Sequence, residues 1–270
     1  VKTQPIRFLD PQPFWADVMP SLVESFLLGT TVLDTAGTER NIPLQGPLVV
    51  LLAPHSGWIE PLAVDACFGR VGRPCPLWVT KGENRDLPRF FMGDRFMALN
   101  REQPEPSIVR TLQRVLVQSG VEAPHPAPAL GTAIEGTRRG NPDDRQDLRT
   151  LGPFKTGLVR IAVRTETPIL PVVVLGSDRF TPLLQETWDE HGTMGALKAL
   201  LRLRTRRQPL AARVLPVYRE HLEDESVPGR PTRLRDRAEW HTRRVGERLV
   251  AGILELEPGY PLGTWDRQGV

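Results

Sequence analysis

The 270-residue chain is predicted to adopt an α/β fold in a single domain. Three observations lead there. Proline and glycine divide the sequence into short apolar runs alternating with longer amphipathic segments, the order expected of β-α-β construction. The strongest run, residues 48–53 (LVVLLA), lies between Pro47 and Pro54 and contains no polar residue, as in a strand buried on both faces. No internal repeat, heptad or long linker marks a second unit; the proline-bearing stretch 120–128 is only loop-sized.

Further strands are expected at 77–80, 96–99, 129–134, 169–175 and 213–217. Helical spacing of apolar residues predicts helices at 60–68, 107–118, 155–164 and 194–204, and a longer C-terminal helix at 233–256. Near the start, Phe14, Val18, Leu22, Phe26 and Leu27 recur at three- and four-residue intervals, which predicts a helix over 13–28. Its apolar stripe suits packing on the core or contact with a membrane surface.

Composition narrows the function classes. Hydrophobic residues make up 40% and charged residues 25%, and 35 Lys and Arg against 32 Asp and Glu leave a formal charge of +3, values that exclude collagenous and wholly disordered chains. Cys67 and Cys75 are the only cysteines and lack a ligand pattern, which points to a reducing compartment rather than a disulfide scaffold. The longest charge-free stretch, residues 41–59, contains Pro43, Pro47 and Pro54 and therefore does not read as a membrane-spanning helix. The first residues show no secretory signal pattern, so a cytoplasmic location is expected.

Chemistry concentrates where strands end. His55 and Glu60 follow the 48–53 run directly. Five residues apart on one regular helix they would point about 140° away from each other, since each residue turns the axis by roughly 100°. They can meet only across a strand-to-helix turn, where the carboxylate fixes the tautomer of the imidazole and frees its other nitrogen to take a proton from a hydroxyl. Glu135, Gly136, Thr137 and Arg138 follow another apolar run and combine a permissive glycine, a hydroxyl and a guanidinium suited to gripping phosphate. A loop with merely solvated charges would look the same. Arg101, at the end of the segment 93–101, offers a second cation or a plain exposed strand-end arginine.

Taken in order, these segments resemble the lysophospholipid (glycerolipid) acyltransferase family, to which 1-acylglycerol-3-phosphate acyltransferases belong. The family's first motif is His, four residues, then Asp; here His55-Ser56-Gly57-Trp58-Ile59-Glu60 matches, with Glu in place of Asp. A Lys-containing strand, a Gly and a later Arg are matched by Lys81, Gly82, Gly93 and Arg101. Glu-Gly-Thr-Arg stands unaltered at Glu135 to Arg138, and the following Phe-Lys-x-Gly is Phe154-Lys155-Thr156-Gly157. The strand with two prolines is Pro168-Ile169-Leu170-Pro171-Val172. Two departures concern the site. Glu60 is one methylene longer than Asp, and Ala133-Ile134 stand where the family commonly has Phe-Pro.

The resemblance implies a single-domain α/β fold with a mixed, mostly parallel sheet flanked by helices. It divides the chain into an amphipathic lead-in (1–46), an acyltransferase core (47–217) and a C-terminal helical extension packed on it (218–270). It implies an enzyme that moves a fatty acyl group from acyl-CoA or acyl carrier protein, as co-substrate, to a hydroxyl of a lysophospholipid, with no metal or other cofactor. In that scheme His55 is the general base and Glu60 its support. Arg101 and Arg138, assisted by Lys81, neutralise the acceptor phosphate, while Glu135, Gly136 and Thr137 bind glycerol hydroxyls or shape the loop. The foremost acceptor is 1-acylglycerol-3-phosphate, giving phosphatidic acid; an ornithine-lipid precursor or a glycolipid is the alternative.

The hydrophobic entry segment of many relatives is not matched, so the expected enzyme works peripherally at the inner face of the cell membrane. The basic, acid-free stretch 198–213, with interleaved leucines, suits contact with an anionic bilayer or an exposed basic face. A nucleic-acid partner is not expected: aromatic residues make up 6%, and no zinc finger, RNA-recognition signature or clear helix-turn-helix is found. A metal centre on His55, Cys67 and Cys75 lacks paired ligand spacing. His125, His191, His221 and His241 are read as surface residues.

Overall fold

The computed structural model describes residues 35–57, 59–81, 96–99, 106–118, 129–135, 149–179, 192, 194, 195, 198, 210–223, 231–263 and 265. Among the described residues six strands form one sheet: β1 (Leu48–Ala53), β2 (Leu77–Lys81), β3 (Phe96–Leu99), β4 (Ala129–Ala133), β5 (Ile169–Leu175) and β6 (Ala211–Val214), in the spatial order β3-β2-β4-β1-β5-β6. The first five are mutually parallel and β6 pairs antiparallel with β5, so the expected mixed, mostly parallel sheet is observed. β1 lies between β4 and β5, with Leu51 opposite Thr132 on one side and Pro171 on the other.

Five described helices accompany the sheet: α1 (Thr35–Asn41), α2 (Ile59–Arg70), α3 (Pro106–Gln118), α4 (Gly157–Arg164) and α5 (Leu234–Leu256). The all-apolar composition of β1 follows from its place. Leu48, Val50 and Leu52 pack with α2 residues Leu62, Val64 and Phe68, while Val49, Leu51 and Ala53 share the opposite core with α3, α4 and α5. Alternate side chains of a strand leave on opposite faces, so a strand covered on both sides has no position for a polar residue. α5 packs on α4 and β5.

Differences from expectation have local causes. β6 begins two residues earlier than predicted and stops before Pro216, which has no N–H for the ladder; pairing resumes as an isolated bridge between Ile169 and Tyr218. α4 starts at Gly157 rather than 155, and the Lys155 amide donates to the Ile134 carbonyl (2.8 Å). α1 was not legible from apolar spacing; Asn41 Nδ2 ties its end to the Val214 carbonyl at 2.8 Å. The helix expected over 13–28 and most of the segments 194–204 and 198–213 lie outside the described residues.

The reading of His221 and His241 as surface residues is overturned, since they are 2% and 1% exposed. Tyr218 Oη lies 2.5 Å from His241 Nδ1, and His221 Nε2 lies 2.7 Å from the Thr167 carbonyl. An imidazole with a polar partner can be buried, and the partners here come from distant parts of the chain.

Close packing singles out Gly131 in β4. A Cβ there would stand 2.7 Å from the Trp78 ring, whose Nε1 donates to Asp65 Oδ1 at 3.0 Å and holds the indole in place. Gly131→Ala is expected to destabilise the fold by about 1–3 kcal/mol through overpacking. Urea denaturation checks this, as a lower midpoint with an unchanged slope.

Candidate active site

Parallel strands end on the same edge of the sheet, and the edge beyond β1, β4 and β5 gathers the polar residues. Ligands of open α/β sheets bind outside the carboxyl ends of the strands. Past β1 the chain passes through a cis Ala53-Pro54 peptide into the turn 55–57 and then α2. Glu60, in the first turn of α2, is fully buried, and His55 Nδ1 lies 3.3 Å from its Oε2.

The other carboxylate oxygen is surrounded by donors. Glu60 Oε1 accepts from the Ser56 amide (2.9 Å), the Gly57 amide (2.7 Å), the Ser56 hydroxyl (3.0 Å) and the Ser177 hydroxyl (2.6 Å). The return to backbone amides upstream is the action of the acid in a capping box, and negative charge is favoured at a helix N-terminus. The two oxygens thus have separate tasks, since Oε1 anchors the side chain and Oε2 meets the imidazole. His55 retains 21% side-chain exposure, so its ring lies at the boundary between this polar interior and solvent.

A second buried carboxylate braces the turn from the β4 side. Glu135, 2% exposed, accepts from the His55 amide through Oε1 (2.7 Å) and from the Gly152 amide through Oε2 (2.6 Å). Both carboxylate oxygens of Glu135 thus meet backbone amides of the surrounding turns. Burial pushes the Glu135 carboxyl above its ordinary range; the amides of His55 and Gly152 and the charge of His55 pull the other way, and the charge of Glu60 adds to the rise.

Of the other expected binding residues, Lys81 is the last residue of β2, on the same sheet edge, opposite Leu99. Arg101, Gly136, Thr137 and Arg138 lie outside the described residues. Phe154, from the Phe-Lys-x-Gly match, packs its ring against Trp265 with centroids 4.7 Å apart. Ser56, adjacent to the histidine, is 2% exposed and its hydroxyl is directed to Glu60.

Two contributors escaped the sequence reading: Gly152, through its amide, and Ser177. Ser177 follows Gly176, whose φ of 97° lies in the left-handed region open to glycine. The short 3₁₀ turn Ser177–Arg179 then continues from the end of β5. A strand followed by Gly-Ser was the available signal, but nothing local indicated which carboxylate the hydroxyl would reach. The neighbouring Asp178 pairs with Arg149 (3.7 Å), which also pairs with Glu257 beyond α5 and lies over the Tyr260 ring at 5.9 Å. Burial raises the Asp178 carboxyl, opposed by the charges of Arg149 and Arg179. Burial also raises the Tyr260 phenol, reinforced by the negative charges of Glu135 and Asp178.

The sequence model of the family described as Acyltransferase matches residues 35–175, more than half of the chain. The chain belongs to the acyltransferase family. This bears out the resemblance seen in the sequence and makes the protein an acyltransferase enzyme. Its fold is similar to the crystal structure of the 1-acyl-sn-glycerophosphate (LPA) acyltransferase PlsC from Thermotoga maritima, with a TM-score of 0.54 and 16% identity over 90% of this chain and 78% of that one. A search of curated proteins finds no match. Among the described residues of this acyltransferase, no helix is long and apolar enough to cross a membrane.

The raised Glu135 carboxyl has a consequence for stability. An acid whose pKa is higher folded than unfolded binds its proton more tightly in the native state. Its contribution therefore favours folding at pH below the ordinary value of 4.5 and is lost as pH rises through the native value. Glutamine does not titrate, and its NH₂ would face one of the two amide donors, a mismatch costing about 1–3 kcal/mol. Glu135→Gln is expected to unfold more easily than wild type, with the difference shrinking as pH is raised from about 4 towards neutrality. Urea titrations across that range measure it; a difference that grows with pH would contradict the assignment.

Proposed function

We propose that this acyltransferase transfers a fatty acyl group from the thioester of coenzyme A or acyl carrier protein to a free hydroxyl of a lysophospholipid. The foremost acceptor is 1-acylglycerol-3-phosphate, with phosphatidic acid as the product. The observation that carries the reading is the contact of the buried Glu60 carboxylate with His55 Nδ1 at the carboxyl end of the central strand.

The carboxylate holds the proton of a neutral imidazole on Nδ1, which leaves Nε2 as the base. Nε2 takes the proton of the acceptor hydroxyl as its oxygen attacks the thioester carbonyl. The tetrahedral intermediate collapses with cleavage of the C–S bond, and the departing thiolate takes the proton back from the imidazolium. Glu60 stabilises that imidazolium while it exists, and no covalent acyl-enzyme is required. On this reading Arg101, Arg138 and Lys81 meet the acceptor phosphate, where guanidinium forks suit its oxygens. The enzyme works at a membrane surface, where its lipid substrate resides.

With palmitoyl-CoA and 1-oleoylglycerol-3-phosphate, His55→Ala is expected to lower kcat by on the order of 100-fold or more, with little change in KM. Glu60→Gln should shift kcat in the same direction. Full turnover by His55→Ala in a steady-state assay of thiol release would remove the histidine from this role. Arg138→Ala is expected to raise the KM for the phosphate acceptor by about tenfold or more, the equivalent of one lost charge-assisted contact. An unchanged KM would place the phosphate elsewhere. Mass spectrometry of products from a panel of lysolipids, ornithine-lipid precursors and glycolipids identifies the acceptor, because each gives a distinct acylated mass.

A further inference from the structure

The hydroxyl of Ser177 has no part in the transfer chemistry above, and the residue lies two positions beyond the family match at 35–175. It is 1% exposed, and its Oγ is 2.6 Å from Glu60 Oε1 and in close contact with the Ser56 hydroxyl. We propose that Ser177 is a positioning residue for the His55-Glu60 pair: its hydroxyl, delivered from the end of β5, sets the carboxylate so that Oε2 meets the imidazole. The inference rests on the reading of His55 as the base.

Both serine hydroxyls reach Glu60 Oε1, and their oxygens are in close contact with each other. The shorter contact to the carboxylate belongs to Ser177, at 2.6 Å against 3.0 Å for Ser56. The amides of Ser56 and Gly57 fix Glu60 from its own turn, but Ser177 alone among these donors comes from another strand.

Ion pairs brace the turn that carries that hydroxyl. Gly176 turns the chain at the end of β5, and Asp178, next to the serine, pairs with Arg149, which Glu257 holds from the far side. The longer side chain of Glu60 also gains a purpose. Its additional methylene relative to the family's Asp carries the carboxylate further from its own backbone, and here one carboxylate oxygen meets the β5 turn while the other meets His55.

The test compares the purified full chain with Ser177→Ala and Ser177→Thr. Steady-state assays use palmitoyl-CoA and 1-oleoylglycerol-3-phosphate, and ¹⁵N NMR of the histidine rings provides a readout independent of turnover. Ser177→Ala is expected to lower kcat about tenfold with both KM values within about twofold, and Ser177→Thr to retain more activity than the alanine variant. In the Glu60→Gln background the alanine change should add little, because the two residues act through one interaction. Neutral His55 should carry its proton on Nδ1 in wild type and show mixed tautomers in Ser177→Ala.

An unchanged kcat, a Thr variant below Ala, losses that multiply in the Glu60→Gln background, or an unchanged tautomer would each overturn the proposal. His55→Ala, run in parallel, separates the two readings. If it retains turnover, the base assignment fails; if it is inactive while Ser177→Ala is unaffected, only the positioning role fails. Should neither substrate react, the tautomer measurement alone decides whether Ser177 orders the pair.

Discussion

A carboxylate with no solvent exposure must be supplied with donors by the protein, because an uncompensated buried charge costs several kcal/mol even after the surroundings relax. Glu60 is in that position. Its Oε1 accepts from two amides and two hydroxyls, and its Oε2 faces His55. Meeting this demand requires the turn after β1, the first turn of α2 and the end of β5 to converge on one point. The arrangement of the central strands serves that convergence.

Parallel pairing is what makes the convergence possible. β4, β1 and β5 run side by side in one direction, so the segments that follow them emerge on one edge. Two glutamates then grip the same turn from different elements: Glu135 holds the His55 amide, while Glu60 holds those of Ser56 and Gly57. The histidine backbone is fixed by one carboxylate and its ring by the other. Burying both acids so close together has an electrostatic cost, visible in the contribution of the Glu60 charge to the rise of the Glu135 carboxyl. The C-terminal segment adds support through Glu257, which meets Arg149 and through it Asp178.

Legibility followed the range of the interactions involved. The strands at 48–53, 96–99 and 169–175 have the bounds that the sequence predicts, because an apolar run flanked by breakers is a local pattern. The His55-Glu60 relation was legible for the same reason, since both residues sit within one strand-turn-helix passage. Glu135 was singled out, but its partners were not: its hydrogen bond to the His55 amide spans 80 positions. Ser177 lies 117 positions from Glu60, and His241 lies 23 from its partner Tyr218, on a different element. His221 and His241 are buried because distant segments supply hydrogen-bond partners for their rings.

By itself, the sequence determined the α/β class, the apolar central strand and the placement of a histidine and an acid just beyond it. These depend on hydrophobic periodicity and on turn chemistry that acts over a few residues. Only the tertiary structure decided that β1 lies between β4 and β5, that Glu135 clips the histidine backbone, and that a serine after β5 completes the cradle of Glu60. Strand order and the satisfaction of buried polar groups are settled by contacts between distant segments, and each polar group takes the partner that the packed sheet brings within reach.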